Sequence, residues 1–244
     1  MHIIQHQERI NGEGYTVIAD VFDRTAIDAM VAAINEADPA GPLFRKTNDL
    51  FAIRRFLQAV PAIQLLVFTK RLQVLLQQLF GAGYFPVKSI YFDKPGQSNW
   101  FVAWHQDLTI SVAEKIPVAG YGPWTMKPDQ YAVQPPLEIL ENNFTIRIHL
   151  DDTDAQNGAL KVIPGSHGKG VYRVDTIDMN ITPAISCAVP QGGIMIMRPL
   201  LMHASSRSSN GQNRRVIHIE FSNQALGGGL QWAEQLTLLP PAEA

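Results

Sequence analysis

Two runs, Thr145-Ile146-Arg147-Ile148-His149-Leu150 and Ala159-Leu160-Lys161-Val162-Ile163, decide the fold class. Both are short, apolar and rich in β-branched residues, so both read as strands. Asp151-Asp152-Thr153-Asp154 follows the first and reads as a solvated turn. Pro164-Gly165-Ser166-His167 follows the second and reads as a tight turn between core strands. Working outward, residues 88–92, 101–104, 193–197 and 216–221 repeat the pattern of short strands. The first third is different. Asp23 is placed to cap a helix whose apolar residues Ile27, Met30, Val31 and Ile34 share one face. A second helix is expected after Pro61, burying Leu65, Leu66, Leu72, Leu75, Leu76 and Leu79 and stopping at Gly81. Helices first and many short strands later predict an α+β fold, with helices packed outside a β-sandwich or barrel.

The chain has 244 residues, normal for a single barrel or sandwich, and is read as one domain over 1–244. The helical part spans about 20–82 and the strand-rich core about 85–222. Hydrophobic residues make up 46% and charged residues 17%, which supports a sizeable core and argues against disorder. Net charge is −2 and no basic stripe stands out, so neither nucleic acid nor an anionic membrane is an expected partner. No secretory signal and no run of spanning length is visible. The single cysteine, Cys187, rules out an internal disulfide, favours a reducing, cytoplasmic setting, and sits in a strand-like context as a structural thiol. Residues 111–137 break the rhythm. Seven Pro or Gly residues alternate there with Tyr121, Trp124 and Tyr131. Two readings stay open: a lid over the site, or a surface excursion packed by its own aromatics.

Chemistry enters with Trp104-His105-Gln106-Asp107-Leu108, Pro199-Leu200-Leu201-Met202-His203, and Arg214 eleven positions after that histidine. Two histidines and one carboxylate hold Fe(II) on one face and leave the other open. An arginine beside them is suited to grip a cosubstrate carboxylate. The His-x-acid triplet alone is weak. It occurs four times, at His6/Glu8, His105/Asp107, His149/Asp151 and His218/Glu220, where seven histidines and 22 acids would give on the order of one by chance. On a strand, residues i and i+2 share a face, so each pair is geometrically suited to one metal. His6/Glu8 reads as solvated and His218/Glu220 as a network histidine. His149/Asp151, also followed by His203, is a genuine rival.

Three motifs together resemble the phytanoyl-CoA dioxygenase family. They are His105-Gln106-Asp107-Leu108, the run Gln156-Asn157-Gly158-Ala159-Leu160-Lys161-Val162-Ile163-Pro164-Gly165-Ser166-His167, and Pro199-Leu200-Leu201-Met202-His203, in the family's order. The resemblance implies a double-stranded β-helix (jelly-roll) core with flanking N-terminal helices, using Fe(II), 2-oxoglutarate and O2. It selects His105, Asp107 and His203 as iron ligands and catalytic centre. It makes Arg214 the anchor of the distal 2-oxoglutarate carboxylate, with Ser205 beside it and Arg147 as a cosubstrate or substrate contact. Arg215 competes with Arg214, since one residue's slip reverses the face. The implied reaction hydroxylates an unactivated C–H bond, releasing succinate and CO2. Related halogenases lack the carboxylate, so Asp107 points to hydroxylation.

The substrate expected is a small acid, amino acid or secondary metabolite, since no basic cluster suits a CoA ester. Trp124 and Lys127 are candidate substrate contacts for an anionic group. The chain is expected to be a monomer or homodimer. Two alternatives compete: a cupin-like metal enzyme that does not use 2-oxoglutarate, and a non-catalytic jelly-roll binding protein.

Overall fold

The computed structural model describes residues 2–37, 43–46, 51–96, 100–127, 130–177 and 182–237. Helix α1 (Ile3–Gly12) leads into β1 (Tyr15–Ile18), and α2 (Arg24–Asn35) follows. The hairpin β2 (Phe44–Lys46) and β3 (Phe51–Arg54) precedes α3 (Phe56–Ala59), α4 (Ala62–Val67) and α5 (Lys70–Phe80). Strands β4 (Phe85–Lys94), β5 (Val102–His105), β6 (Ile110–Val112), β7 (Trp124–Lys127) and β8 (Gln130–Val133) come before α6 (Leu137–Asn142). The chain continues through β9 (Phe144–His149), β10 (Leu160–Val162), β11 (Ile185–Ser186), β12 (Ile194–Met197), β13 (His203–Ser205) and β14 (Arg214–Ser222).

A seven-stranded antiparallel sheet runs β1-β12-β9-β14-β4-β3-β2, and a four-stranded sheet runs β11-β10-β13-β5. Met195 and Met197 of the large sheet pack on Leu160 and Val162 of the small one, so the two sheets face each other as a double-stranded β-helix. The large sheet is two-faced. Ile146, Ile148, Ile194, Ile196, Ile217 and Ile219 point away from the small sheet into the main core, where Ile27, Met30, Leu72 and Leu76 of the helices cover them. The two-residue strand period then turns Arg147, His149, His218 and Glu220 inward, between the sheets. All four are buried. The polar interior is the space in which a site can form.

Several expectations need correction. Helical structure begins at Ile3, and His6 lies on α1, partly buried, with Nδ1 2.8 Å from Thr16 Oγ1. The single helix expected after Pro61 is two, because the chain breaks at Phe68 and Thr69 Oγ1 caps α5 by accepting from Leu72 N at 3.3 Å. Leu65 is 80% exposed rather than buried, while Leu72, Leu75, Leu76 and Leu79 are in the core. Residues 111–137 are not a bare loop: β6-β8-β7 form a third, small sheet. The C-terminal segment straps it down. Ala113 N and Gln231 O, Ala233 N and Ser111 O, and Leu236 N and Pro86 O are hydrogen-bonded, and Leu230 and Trp232 pack on Ile110, Val112 and Val133. Asp23 caps α2 as expected, its Oδ1 accepting from Ala26 N at 2.8 Å. Among the described residues no helix is long and apolar enough to cross a membrane.

Candidate metal centre

His105 ends β5 and His203 begins β13, and the two are register partners across the small sheet. Their rings lie 4.2 Å apart. Asp107 follows β5 in a loop fastened to the strand-β13 approach: Asp107 N donates to Pro199 O at 2.9 Å. Gln106 locks the same loop. Its Nε2 donates to Leu200 O (2.6 Å) and Gly170 O (2.9 Å), and its Oε1 accepts from Tyr172 N (2.8 Å). Asp107 therefore projects between the histidines, 3.8 Å from each Nε2.

The histidine tautomers are fixed by the backbone. Nδ1 of His105 faces Ala103 O and Nδ1 of His203 faces Leu201 O, both at 2.8 Å. A carbonyl only accepts, so each Nδ1 carries the proton and each Nε2 keeps its lone pair for a metal. The three donor atoms lie within 4.8 Å of one another, and among the described residues this is the only such group. Burial pushes His203 down to about 4, against the pull of Asp107. Burial would raise Asp107, but His203 and the Lys88 ammonium outweigh it and hold the carboxyl below the usual carboxylate range. Two neutral imidazoles and one carboxylate are a donor set suited to ferrous iron.

A second cluster occupies the same interior. Arg214 is buried, donates through Nη1 to Gly158 O, and has no partner for Nε among the described residues. Ser205 Oγ, two residues beyond His203, is also sealed and unpaired. Arg147 donates to His218 Nδ1 at 3.1 Å and likewise leaves Nε unpaired. Lys94 is the register partner of Arg214 and donates to Ser206 O at 2.6 Å. Burial and the neighbouring guanidinium push Arg214 to about 9 and Lys94 to about 8, and burial puts Arg147 at about 10, so all remain cationic near neutrality. Buried donors without acceptors, on cations that form no ion pair among the described residues, fit an incoming carboxylate. Gly158 makes room for this arrangement. At φ +85° a Cβ there would lie 2.7 Å from Ser206 O and 2.9 Å from Lys94 Nζ.

The rival pair is broken at Asp151, which Arg215 holds, while His149 keeps a buried Nε2 without a partner among the described residues. Arg215 grips Asp151 through Nε (2.9 Å) and Nη2 (2.6 Å), and its backbone N donates to the same carboxylate. His149 Nδ1 meets Thr153 Oγ1 at 2.8 Å. Trp124 packs partly buried against the cluster of Ile110, Val112 and Leu200. Lys127 closes β7, and its side chain lies outside the described residues. His167 Nε2 meets Asn11 O at 3.1 Å, a structural tie to α1. His218 is the network histidine expected, bonded to Glu220 and to Arg147, but sequence reasoning missed Lys88, which extends this interior chain. Its signal was present in β14, where Arg214, His218 and Glu220 share the face opposite Ile217 and Ile219.

No curated protein matches the chain. Solved structures do, at identities that establish the fold. Carbocyclase SnoK from nogalamycin biosynthesis is 17% identical, with 90% of this chain and 83% of that chain covered and a TM-score of 0.65. EctD from S. alaskensis, with 2-oxoglutarate and 5-hydroxyectoine, is 18% identical over 89% and 75% of the two chains, at a TM-score of 0.68. Epimerase SnoN from the same nogalamycin route is 14% identical over 98% and 96%, at a TM-score of 0.66. The family model Phytanoyl-CoA dioxygenase (PhyH) matches residues 10–216, and the chain belongs to this family of Fe(II)/2-oxoglutarate-dependent oxygenases.

Proposed function

We propose that the protein is an Fe(II)- and 2-oxoglutarate-dependent dioxygenase that hydroxylates a C–H bond of a small organic substrate. The observation that carries this is the meeting of His105, Asp107 and His203 in one interior with Arg214 and Ser205, whose buried polar atoms lack partners. In this reading the three residues hold the iron. Arg214 and Ser205 take the distal carboxylate of 2-oxoglutarate, and Arg147 supports its bound position. Iron with the keto acid supplies oxidative decarboxylation, releasing succinate and CO2 as O2 is consumed and the substrate oxidised. Asp107 keeps one iron position filled by protein, which favours hydroxylation over halide transfer. Trp124 is assigned as an apolar substrate contact and Lys127 as an anion contact, both on β7 of the three-stranded sheet.

Neighbours support the cofactors: the solved SnoN complex contains Fe3+ and alpha ketoglutarate, and an EctD structure contains 2-oxoglutarate and 5-hydroxyectoine. Solved neighbours also include a carbocyclase and an epimerase. The test is release of labelled CO2 from 1-labelled 2-oxoglutarate. It should require Fe(II) and O2 and vanish in Asp107→Ala. Turnover independent of 2-oxoglutarate would favour a cupin-like metal enzyme, and no iron binding would leave a jelly-roll binding protein.

A further inference from the structure

One buried ion pair in the interior has no part in holding iron or cosubstrate. Lys88 on β4 and Glu220 on β14 are register partners. Both point between the sheets, because Ser89, bonded to Leu57 N, and Ile219, in the main core, take the opposite face. Lys88 Nζ lies 2.5 Å from Glu220 Oε1, and the two side chains are 13% and 8% exposed. The same oxygen lies 3.2 Å from His218 Nε2. That contact is a donation from His218. Arg147 only donates, so His218 Nδ1 accepts from it and the imidazole proton sits on Nε2. Lys88, Glu220, His218 and Arg147 form one hydrogen-bonded chain along the wall of the metal chamber.

Such a pair is a poor device for stability. Removing two ions from water costs several kcal/mol each, and well-packed apolar residues in their place are often neutral or stabilising. The pair also leaves valence unspent. Among the described residues Lys88, with three N–H groups, donates one, and both hydrogen bonds to Glu220 fall on Oε1, leaving Oε2. Both side chains keep contact with solvent space. The pair shares the inward face of the large sheet with His218 and Arg147, through which it is hydrogen-bonded into the interior.

Net charge sets the sign of what binds there, and the remaining N–H groups of Lys88 set where it is held. The interior holds Lys88, Lys94, Arg147 and Arg214 against Asp107 and Glu220. A ferrous ion and dianionic 2-oxoglutarate cancel each other, so the loaded chamber keeps an excess of two positive charges. An ammonium-bearing substrate would add to this excess, whereas a carboxylate reduces it. We propose that Lys88 is a specificity residue that binds the carboxylate of a small anionic substrate, with Glu220 and His218 orienting its ammonium toward the iron. The proposal rests on the iron and 2-oxoglutarate reading and names the substrate class within it.

The test uses full-length protein loaded anaerobically with Fe(II) and 2-oxoglutarate. Aliphatic, aromatic and amino carboxylates are titrated beside their primary amides and the matching amines, and binding is read from the melting temperature. The expected result is at least one carboxylate bound tenfold or more tightly than its amide, in the wild type and in Lys88→Arg. The preference should fall at least tenfold in the double variant Lys88→Met/Glu220→Met, which keeps the net charge of the chamber and removes only the Lys88 contact, while its affinity for 2-oxoglutarate is retained. No carboxylate binding, equal binding of amides, a preference for amines, or survival of the preference in the double variant would overturn the proposal. The melting arm is repeated without metal. Failure of the iron–cosubstrate visible band would then remove the cofactor reading, while dependence on Lys88 is decided separately.

Discussion

Arg214 and Arg215 are neighbours on β14, and the strand period sends their side chains to opposite faces. Arg214 enters the chamber with an unpaired Nε, and Arg215 closes on Asp151 outside it. Removing a buried charged partner costs about 2–5 kcal/mol. Arg214→Gln should therefore weaken 2-oxoglutarate binding by at least about thirtyfold. Arg215→Gln should leave that affinity within twofold and lower stability by about 1 kcal/mol. Calorimetric titration and denaturant melts on the two variants separate these outcomes. At this scale much of the site was legible. His105 and Asp107 are two apart, and the family motifs chose between them and His149/Asp151. The Lys88–Glu220 pair was not, because a charged residue on a strand reads as a solvent-facing position. Only the covering of both sheet faces makes it interior.

Helix ends obeyed local rules, and element boundaries yielded to packing. The Asp23 cap was readable because capping needs only the next three residues. Asp23→Ala should cost about 1 kcal/mol. Leu65→Ala should cost little, since that side chain is solvent-exposed despite its place in an apolar run. Chemical denaturation compares the two. Residues 111–137 looked structureless because Pro and Gly dominate their composition, yet strand pairing with a distant C-terminal strap organises them. That strap carries a pH dependence. Glu234 is buried against β4, hydrogen-bonded to Ser89 Oγ at 2.5 Å, and burial pushes it up to about 7. A carboxyl whose folded pKa is raised is most stabilising while protonated. Its contribution is full below the unfolded value near 4.5 and is lost as pH rises through about 7. Stability of the wild type relative to Glu234→Gln should fall by up to about 3 kcal/mol between pH 4.5 and 8. Parallel pH profiles for the two proteins would contradict this.

The molecule as a whole is a large sheet with two unlike faces. Isoleucines bind it to the helices, and charged groups line the space shared with the small sheet. The α+β class was legible because period and composition change near residue 82. The sheet order was not, because it depends on partners far apart in sequence: Tyr15 pairs with Met197, and His203 with His105. That long-range closure brings the donor atoms together, and the functional account depends on it. The most direct test is anaerobic titration of the protein with Fe(II) and then 2-oxoglutarate, following the weak visible charge-transfer band of the chelate. The account predicts one chelate per chain in the wild type and in His149→Ala, and none in His105→Ala or His203→Ala. No band in the wild type, or a band lost in His149→Ala and kept in His105→Ala, would contradict it.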